Sequence, residues 1–230
     1  MVEYQDNRRD APNVPFAMRY TVPVVSPYHG LVRELLSRWP SETTAPVIGL
    51  TSAAHRSGVT TIAANLGVSA AEIANRPILL IDCNANSPDL LNVFGAPASS
   101  GINEIVYGEQ TLSDCVFPTR VHNLCVLGPG VASRQSKNTN EEHAWCKLLQ
   151  DAARGCGLVI VDLPPVPELL SEVMSLQGID RLLLVVEAER TRRQAVARAK
   201  GQLSRVGVEL SGIVLNKRRK HIPGWIYRRI

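Results

Sequence analysis

The sequence predicts a single α/β domain of the doubly wound type, with a mainly parallel sheet flanked by helices. Short apolar runs alternate with longer helical stretches along most of the 230 residues, and this alternation is typical of parallel strands joined by right-handed crossovers. Apolar residues make up 45% of the chain and aromatic residues only 5%. Small aliphatic side chains must therefore fill the core, as they do in sheets that are buried on both faces. The length suits one such domain with short extensions.

The predicted elements run from residue 26 to residue 216. An N-terminal helix starts at Ser26 and Pro27, because Ser caps helices and Pro fits the first helical turn. The predicted strands are the apolar runs 47–51, 78–82, 124–127, 158–162, 182–186 and 212–216. The main predicted helices are 61–75, 141–154 and 191–206. Residues 1–25 are polar and aperiodic, so we expect a flexible arm, and residues 217–230 form a basic tail.

Composition excludes several classes of protein. No apolar run reaches the roughly 18 residues of a membrane span, and the charged first ten residues do not resemble a signal peptide. We therefore expect a cytoplasmic protein whose membrane contact is peripheral or made through a partner. The five cysteines include no CxxC pair, which argues against a disulfide framework or a zinc site.

The basic character of the chain is concentrated in its tail. Residues 217–230 carry six Lys or Arg and no acidic residue, so the rest has 19 basic and 21 acidic side chains. Such a tail could bind an anionic membrane surface or simply solubilise the protein. A second basic group, on the helix 191–206, is most simply a solvated face. No nucleic-acid-binding signature accompanies either group, and nucleic-acid binding is not predicted.

Candidate site residues lie where the predicted strands end, because ligands of such sheets bind at the carboxyl edge. The first strand runs into residues 53–60, which match a phosphate-binding loop in position. Gly58 and Thr60 fit the loop pattern G-x-x-x-x-G-K-[S/T], but Ala53 replaces the first Gly and Val59 replaces the Lys. Taken alone, the loop also permits a plain turn followed by a helix cap.

Three further segments are decisive for the family. They are ILLIDCNANSPDLLNVFG, GLVIVDLPPV and LSGIVLNKRR. In order and spacing they resemble the bacterial tyrosine-kinase (BY-kinase) branch of the MinD/ParA class of P-loop ATPases, which work in capsule and exopolysaccharide synthesis. The resemblance extends from about residue 26 to residue 216. It implies a P-loop NTPase-like single domain that uses ATP or ADP with Mg²⁺.

The resemblance assigns roles to residues of the loop and the strand ends. It implies that the segment Ser57, Gly58, Val59, Thr60 and Thr61 wraps the phosphates, with the Thr60 hydroxyl on Mg²⁺.

At the strand ends, Asp82 would serve Mg²⁺ or the attacking group, and Asp162 would hold the water shell of the metal. Asn216 would read the adenine edge. The implied partner is a membrane polysaccharide co-polymerase at the inner face of the cell membrane, and the family also forms homo-oligomers.

Four departures from the family pattern modify this expectation. Val59 removes the cation that bridges the phosphates, which makes the Walker A loop degenerate, and Asn84 replaces a second acid. Of three ring-forming positions in the first helix, only Arg33 matches. Tyr227 is the single tail tyrosine, where the family has a cluster of phosphate acceptors. We therefore expect a pseudoenzyme with weak or lost ATP binding.

Two alternatives remain open from the sequence. One is an active ATP-dependent tyrosine autokinase, in which loop amides, Mg²⁺ and Arg56 compensate for Val59 and Tyr227 accepts phosphate. The other is a MinD-like positioning ATPase that uses the basic tail as a membrane anchor.

Overall fold

The computed structural model describes residues 25–37, 39, 44–85, 88–131, 141–170 and 176–217. The helices are α1 (Val25–Ser37), α2 (Val59–Ile73), α3 (Asp89–Phe94), α4 (Ile102–Val106), α5 (Leu112–Cys115), α6 (Glu141–Gly155), α7 (Val166–Leu169) and α8 (Arg193–Arg205). The strands are β1 (Val47–Ser52), β2 (Ile78–Asp82), β3 (Phe117–Pro118), β4 (Leu124–Leu127), β5 (Leu158–Asp162), β6 (Arg181–Glu187) and β7 (Leu210–Asn216). The expected arm and most of the basic tail, including Tyr227, lie outside the described residues.

The strands form one sheet of seven, in the order β3-β4-β2-β5-β1-β6-β7. All neighbours are parallel except β3, which pairs antiparallel with β4. This confirms the predicted fold class. The sequence did not indicate β3, because it is a two-residue edge strand that contains Pro118, and proline cannot donate to a strand ladder.

Helices cover both faces of the sheet, and alternate strand residues point to opposite sides. In β2, Leu79 and Ile81 pack on the face that carries α6 and α8, whereas Ile78 and Leu80 pack under α1 and α2. The central strands β1, β2 and β5 are buried at every residue. Their continuous apolar sequences follow from this double coverage.

Helix α2 begins two residues earlier than the sequence predicts. Gly58 adopts a left-handed conformation, with φ of 90°, and the helix starts at Val59 directly after it. As a result, Val59, Thr60 and Thr61 form the first turn of α2, where the backbone N–H groups of a helix lack internal partners. No helix within the described ranges is long and apolar enough to cross a membrane.

Candidate nucleotide site

Two acidic residues lie side by side at the carboxyl edge of the sheet. Asp82 ends β2 and Asp162 ends β5, and they are direct partners in the register of the two strands. On the other side, β5 pairs with β1, where Leu50 lies opposite Asp162. The loop that leaves β1 therefore starts next to the strand that carries Asp162, and Asp82 lies one strand further along the same edge.

Two serine hydroxyls stabilise the turn of the loop between β1 and α2. The hydroxyls of Ser52 and Ser57 donate to the carbonyl of Ala54, at 2.7 and 2.8 Å. The first hydrogen bond of α2 follows, from the N–H of Ile62 to the carbonyl of Gly58 at 3.0 Å. The loop therefore delivers the N-terminus of α2, which is 15 residues long, to the sheet edge. A helix N-terminus at this place favours an anion.

The three residues that open α2 have different environments. Val59 is half-buried and packs against the apolar cluster under α1 and α2. Thr60 is half-buried, and its hydroxyl hydrogen-bonds the carboxylate of Asp162. Thr61 is exposed. The position that holds lysine in the phosphate-loop pattern thus carries an aliphatic side chain that contributes packing and no charge.

Asp162 is a buried carboxyl group with one unpartnered oxygen among the described residues. It is 2% exposed, and that oxygen is Oδ2. Burial raises the pKa of Asp162 to about 8; the Thr60 hydroxyl opposes this rise, and the neighbouring charge of Asp82 adds to it. A buried carboxylate oxygen without a partner, next to a threonine hydroxyl, fits a hard divalent cation such as Mg²⁺, which prefers oxygen ligands.

Asp82 is also buried, but both of its oxygens accept backbone hydrogen bonds. The N–H of Asn84 donates to Oδ1 and the N–H of Leu90 donates to Oδ2, each at 3.0 Å. Burial nevertheless raises the pKa of Asp82 to about 6. Because Leu90 lies in the first turn of α3, Asp82 holds the loop that follows β2 and the start of α3 in place.

The end of β7 also reaches the loop. The side-chain amide of Asn216 donates to the carbonyl of Ser57 at 2.9 Å, and its oxygen accepts the N–H of Lys217 at 2.8 Å. The Lys217 ammonium donates to the carbonyl of Arg56 at 2.7 Å. Sequence reasoning placed Asn216 at the site but missed Lys217, which it assigned to the tail. The side chain of Arg56 itself is exposed.

Known proteins with similar sequences and folds include bacterial tyrosine kinases. Tyrosine-protein kinase CpsD of Streptococcus pneumoniae serotype 4 is 29% identical over 178 residues, which cover 74% of this chain and 75% of CpsD. The kinase domain of the Escherichia coli tyrosine kinase ETK superposes with a TM-score of 0.75 at 21% identity, covering 96% of this chain and 88% of that domain. No protein-family model matches the chain.

Two further solved structures share the fold. The chimerical protein CapA2B2 has a TM-score of 0.74 at 24% identity, over 89% of each chain. The septum site-determining protein MinD of Pyrococcus horikoshii, in complex with Mg-ADP, has a TM-score of 0.61 at 19% identity, over 80% of this chain and 76% of MinD. In sequence the chain is similar to the bacterial tyrosine kinases, and its fold is the P-loop fold of BY-kinase domains and MinD.

Proposed function

We propose that the protein is a BY-kinase-like regulator of capsule or exopolysaccharide synthesis whose nucleotide site is retained in a weakened form. One observation carries this proposal. The Thr60 hydroxyl hydrogen-bonds the buried carboxylate of Asp162, and these are oxygen ligands that suit Mg²⁺, while the half-buried Val59 side chain at the lysine position packs against the core. A site that had lost nucleotide altogether would have no reason to keep Asp162 buried with an unsatisfied oxygen, which destabilises the fold.

The residues of the site have distinct tasks in binding. The N–H groups at the start of α2 would hold the phosphates, assisted by the helix dipole. Thr60 and Asp162 would hold the metal, directly or through its water shell, and Asp162 must release its proton to do so. Bound Mg²⁺ would neutralise phosphate charge. Without a lysine at position 59, this chain supplies less positive charge to the phosphates, and the loss of one such group typically costs a factor of about 10² to 10³ in rate.

The regulator would act by docking on a membrane co-polymerase that sets polysaccharide chain length. The support for this is the sequence similarity to bacterial tyrosine kinases and the similarity in fold to the chimerical protein CapA2B2. Localisation at the inner face of the cell membrane would follow from that docking, with the basic tail as a second contact.

An active ATP-dependent tyrosine autokinase is the second candidate function, and a cationic side chain at the phosphate loop supports it. The exposed Arg56 side chain belongs to the loop, and the Lys217 ammonium contacts the Arg56 carbonyl from the end of β7. The Arg56 guanidinium could offset part of the charge that Val59 lacks.

A binding titration tests the proposal. Mg-ATP and Mg-ADP are titrated into the full-length protein and into Val59→Lys, with Val59→Gln as a matched control that has a long side chain without charge. We expect weak binding and negligible hydrolysis by the wild type, and affinity at least about tenfold higher in Val59→Lys but not in Val59→Gln. Low-micromolar binding with steady hydrolysis by the wild type would refute the proposal and favour the autokinase.

A further inference from the structure

The end of β7 hydrogen-bonds the phosphate loop through Asn216 and Lys217, which together we call the clamp. Asn216 holds the carbonyl of Ser57, and Lys217 holds the carbonyl of the preceding residue, Arg56. Two consecutive peptide groups of the loop are thus each bound by one of two consecutive side chains. These contacts join parts of the chain that are 159 and 161 positions apart.

The clamp determines where the loop donors point. In a planar trans peptide the C=O and the following N–H point in opposite directions. Fixing the Arg56 carbonyl toward Lys217 therefore turns the N–H of Ser57 the other way. Fixing the Ser57 carbonyl toward Asn216 does the same for the N–H of Gly58. Both donors then face away from β7, and successive N–H groups with a shared direction form an anion-binding concavity.

Lys217 is itself held in place. Its backbone has a positive φ of 55°, and its N–H is bound by the Asn216 side chain. Its ammonium lies 3.2 Å from a carboxylate oxygen of Glu187, the strand partner of Asn216. Glu187 is 14% exposed and Lys217 is 44% exposed. The ammonium is therefore anchored between a fixed carboxylate and the loop carbonyl.

We propose that Lys217 is a positioning residue for anion binding, through which the end of β7 orients the Ser57 and Gly58 N–H groups toward a diphosphate or triphosphate. This inference rests on the proposed function only in taking the loop as a phosphate site. A cation bound to a peptide carbonyl polarises the peptide and strengthens its N–H as a donor. Because the Glu187 carboxylate balances the net charge of the Lys217 ammonium, Lys217 acts on the anion site by orienting and polarising the peptide between Arg56 and Ser57.

The test uses full-length, ¹⁵N-labelled protein titrated with pyrophosphate and with Mg-ADP. Lys217→Met removes the charge but keeps the length of the side chain, Lys217→Arg keeps the charge, and Lys200→Met is a matched control at an exposed lysine of α8. We expect binding about tenfold weaker in Lys217→Met, largely restored in Lys217→Arg and unchanged in Lys200→Met. Without ligand, the amide resonances of Ser57 and Gly58 should shift in Lys217→Met alone.

The outcomes separate this inference from the proposed function. If the wild type binds pyrophosphate or Mg-ADP and Lys217→Met binds it equally well, the inference fails and the nucleotide site stands. If Lys217→Met binds weakly and Lys217→Arg is no better, charge at this position is not what matters and the inference fails as well. If the wild type binds neither probe, both the inference and the proposed nucleotide site are refuted.

Discussion

Replacing Asp162 by Asn should change how the stability of the protein depends on pH. In the folded protein the pKa of Asp162 is raised from 3.8 to about 8, mainly by burial. The folded state therefore keeps a proton that the unfolded chain has already released. Stability from this group is fully present below pH 3.8 and is lost as the pH rises toward 8.

The size of the effect follows from the width of that window. One proton bound by the folded state alone makes the free energy of unfolding fall by about 1.4 kcal/mol per pH unit. Asn carries no such proton, and its oxygen can still accept the hydrogen bond from Thr60. Its NH₂ group needs a buried acceptor, which costs about 1–3 kcal/mol at every pH. Relative to Asp162→Asn, the wild type should lose about 2–3 kcal/mol between pH 5.5 and pH 7.5.

Urea unfolding at half-unit pH intervals, followed by circular dichroism, measures this difference. Titrating groups that do not interact with Asp162 contribute equally to the two proteins and cancel in the comparison, whereas Asp82 interacts with Asp162 and is part of the measured difference. Excess Mg-ADP should stabilise the wild type more than Asp162→Asn, because the metal requires the carboxylate form. Parallel stability curves for the two proteins across this range would refute the assignment of a raised pKa to Asp162.

Three further predictions concern the loop and the tail. Gly58→Ala should destabilise the protein by about 1–3 kcal/mol, because φ is +90° and a Cβ would lie 2.3 Å from the side-chain amide nitrogen of Asn216. Gly201→Ala, where a Cβ would meet open space, should not destabilise the protein. Equal urea midpoints for Gly58→Ala and the wild type would contradict this prediction. Incubation with ATP alone should leave Tyr227 unphosphorylated by mass spectrometry, and phosphate there would support the autokinase. Full-length protein should co-sediment with anionic liposomes at low salt, and truncation after Lys217 should abolish this; no sedimentation at low salt would exclude residues 218–230 as an anchor.

Much of the fold was predictable because the central strands are defined by local sequence. β2, β4 and β5 lie at the predicted residues, since each is a continuous apolar run between polar segments. The error at α2 came from the turn: Gly58 was identified, but the helix begins immediately after it. The short helices α4, α5 and α7 contain four or five residues, too few to show a helical period.

The candidate site was predictable only in part. Asp82, Asp162 and the loop residues stand at strand ends, where the sheet architecture brings them together. The role of Lys217 depends on a contact with Arg56 that is created when β7 pairs with β6 at the sheet edge. No local sequence pattern indicates such a contact, so Lys217, which follows β7, was assigned to the basic tail.

The central position of β1 constrains how the protein can fold during synthesis. β1 precedes the other described strands in the chain, yet its neighbours in the sheet are β5 and β6. Until those strands leave the ribosome, both edges of an apolar strand lack their native partners, and loop closure over more than a hundred residues is slow. A nascent chain arrested before residue 158 should therefore depend on chaperones and be readily cleaved by proteases, whereas release of β6 should bring protection abruptly.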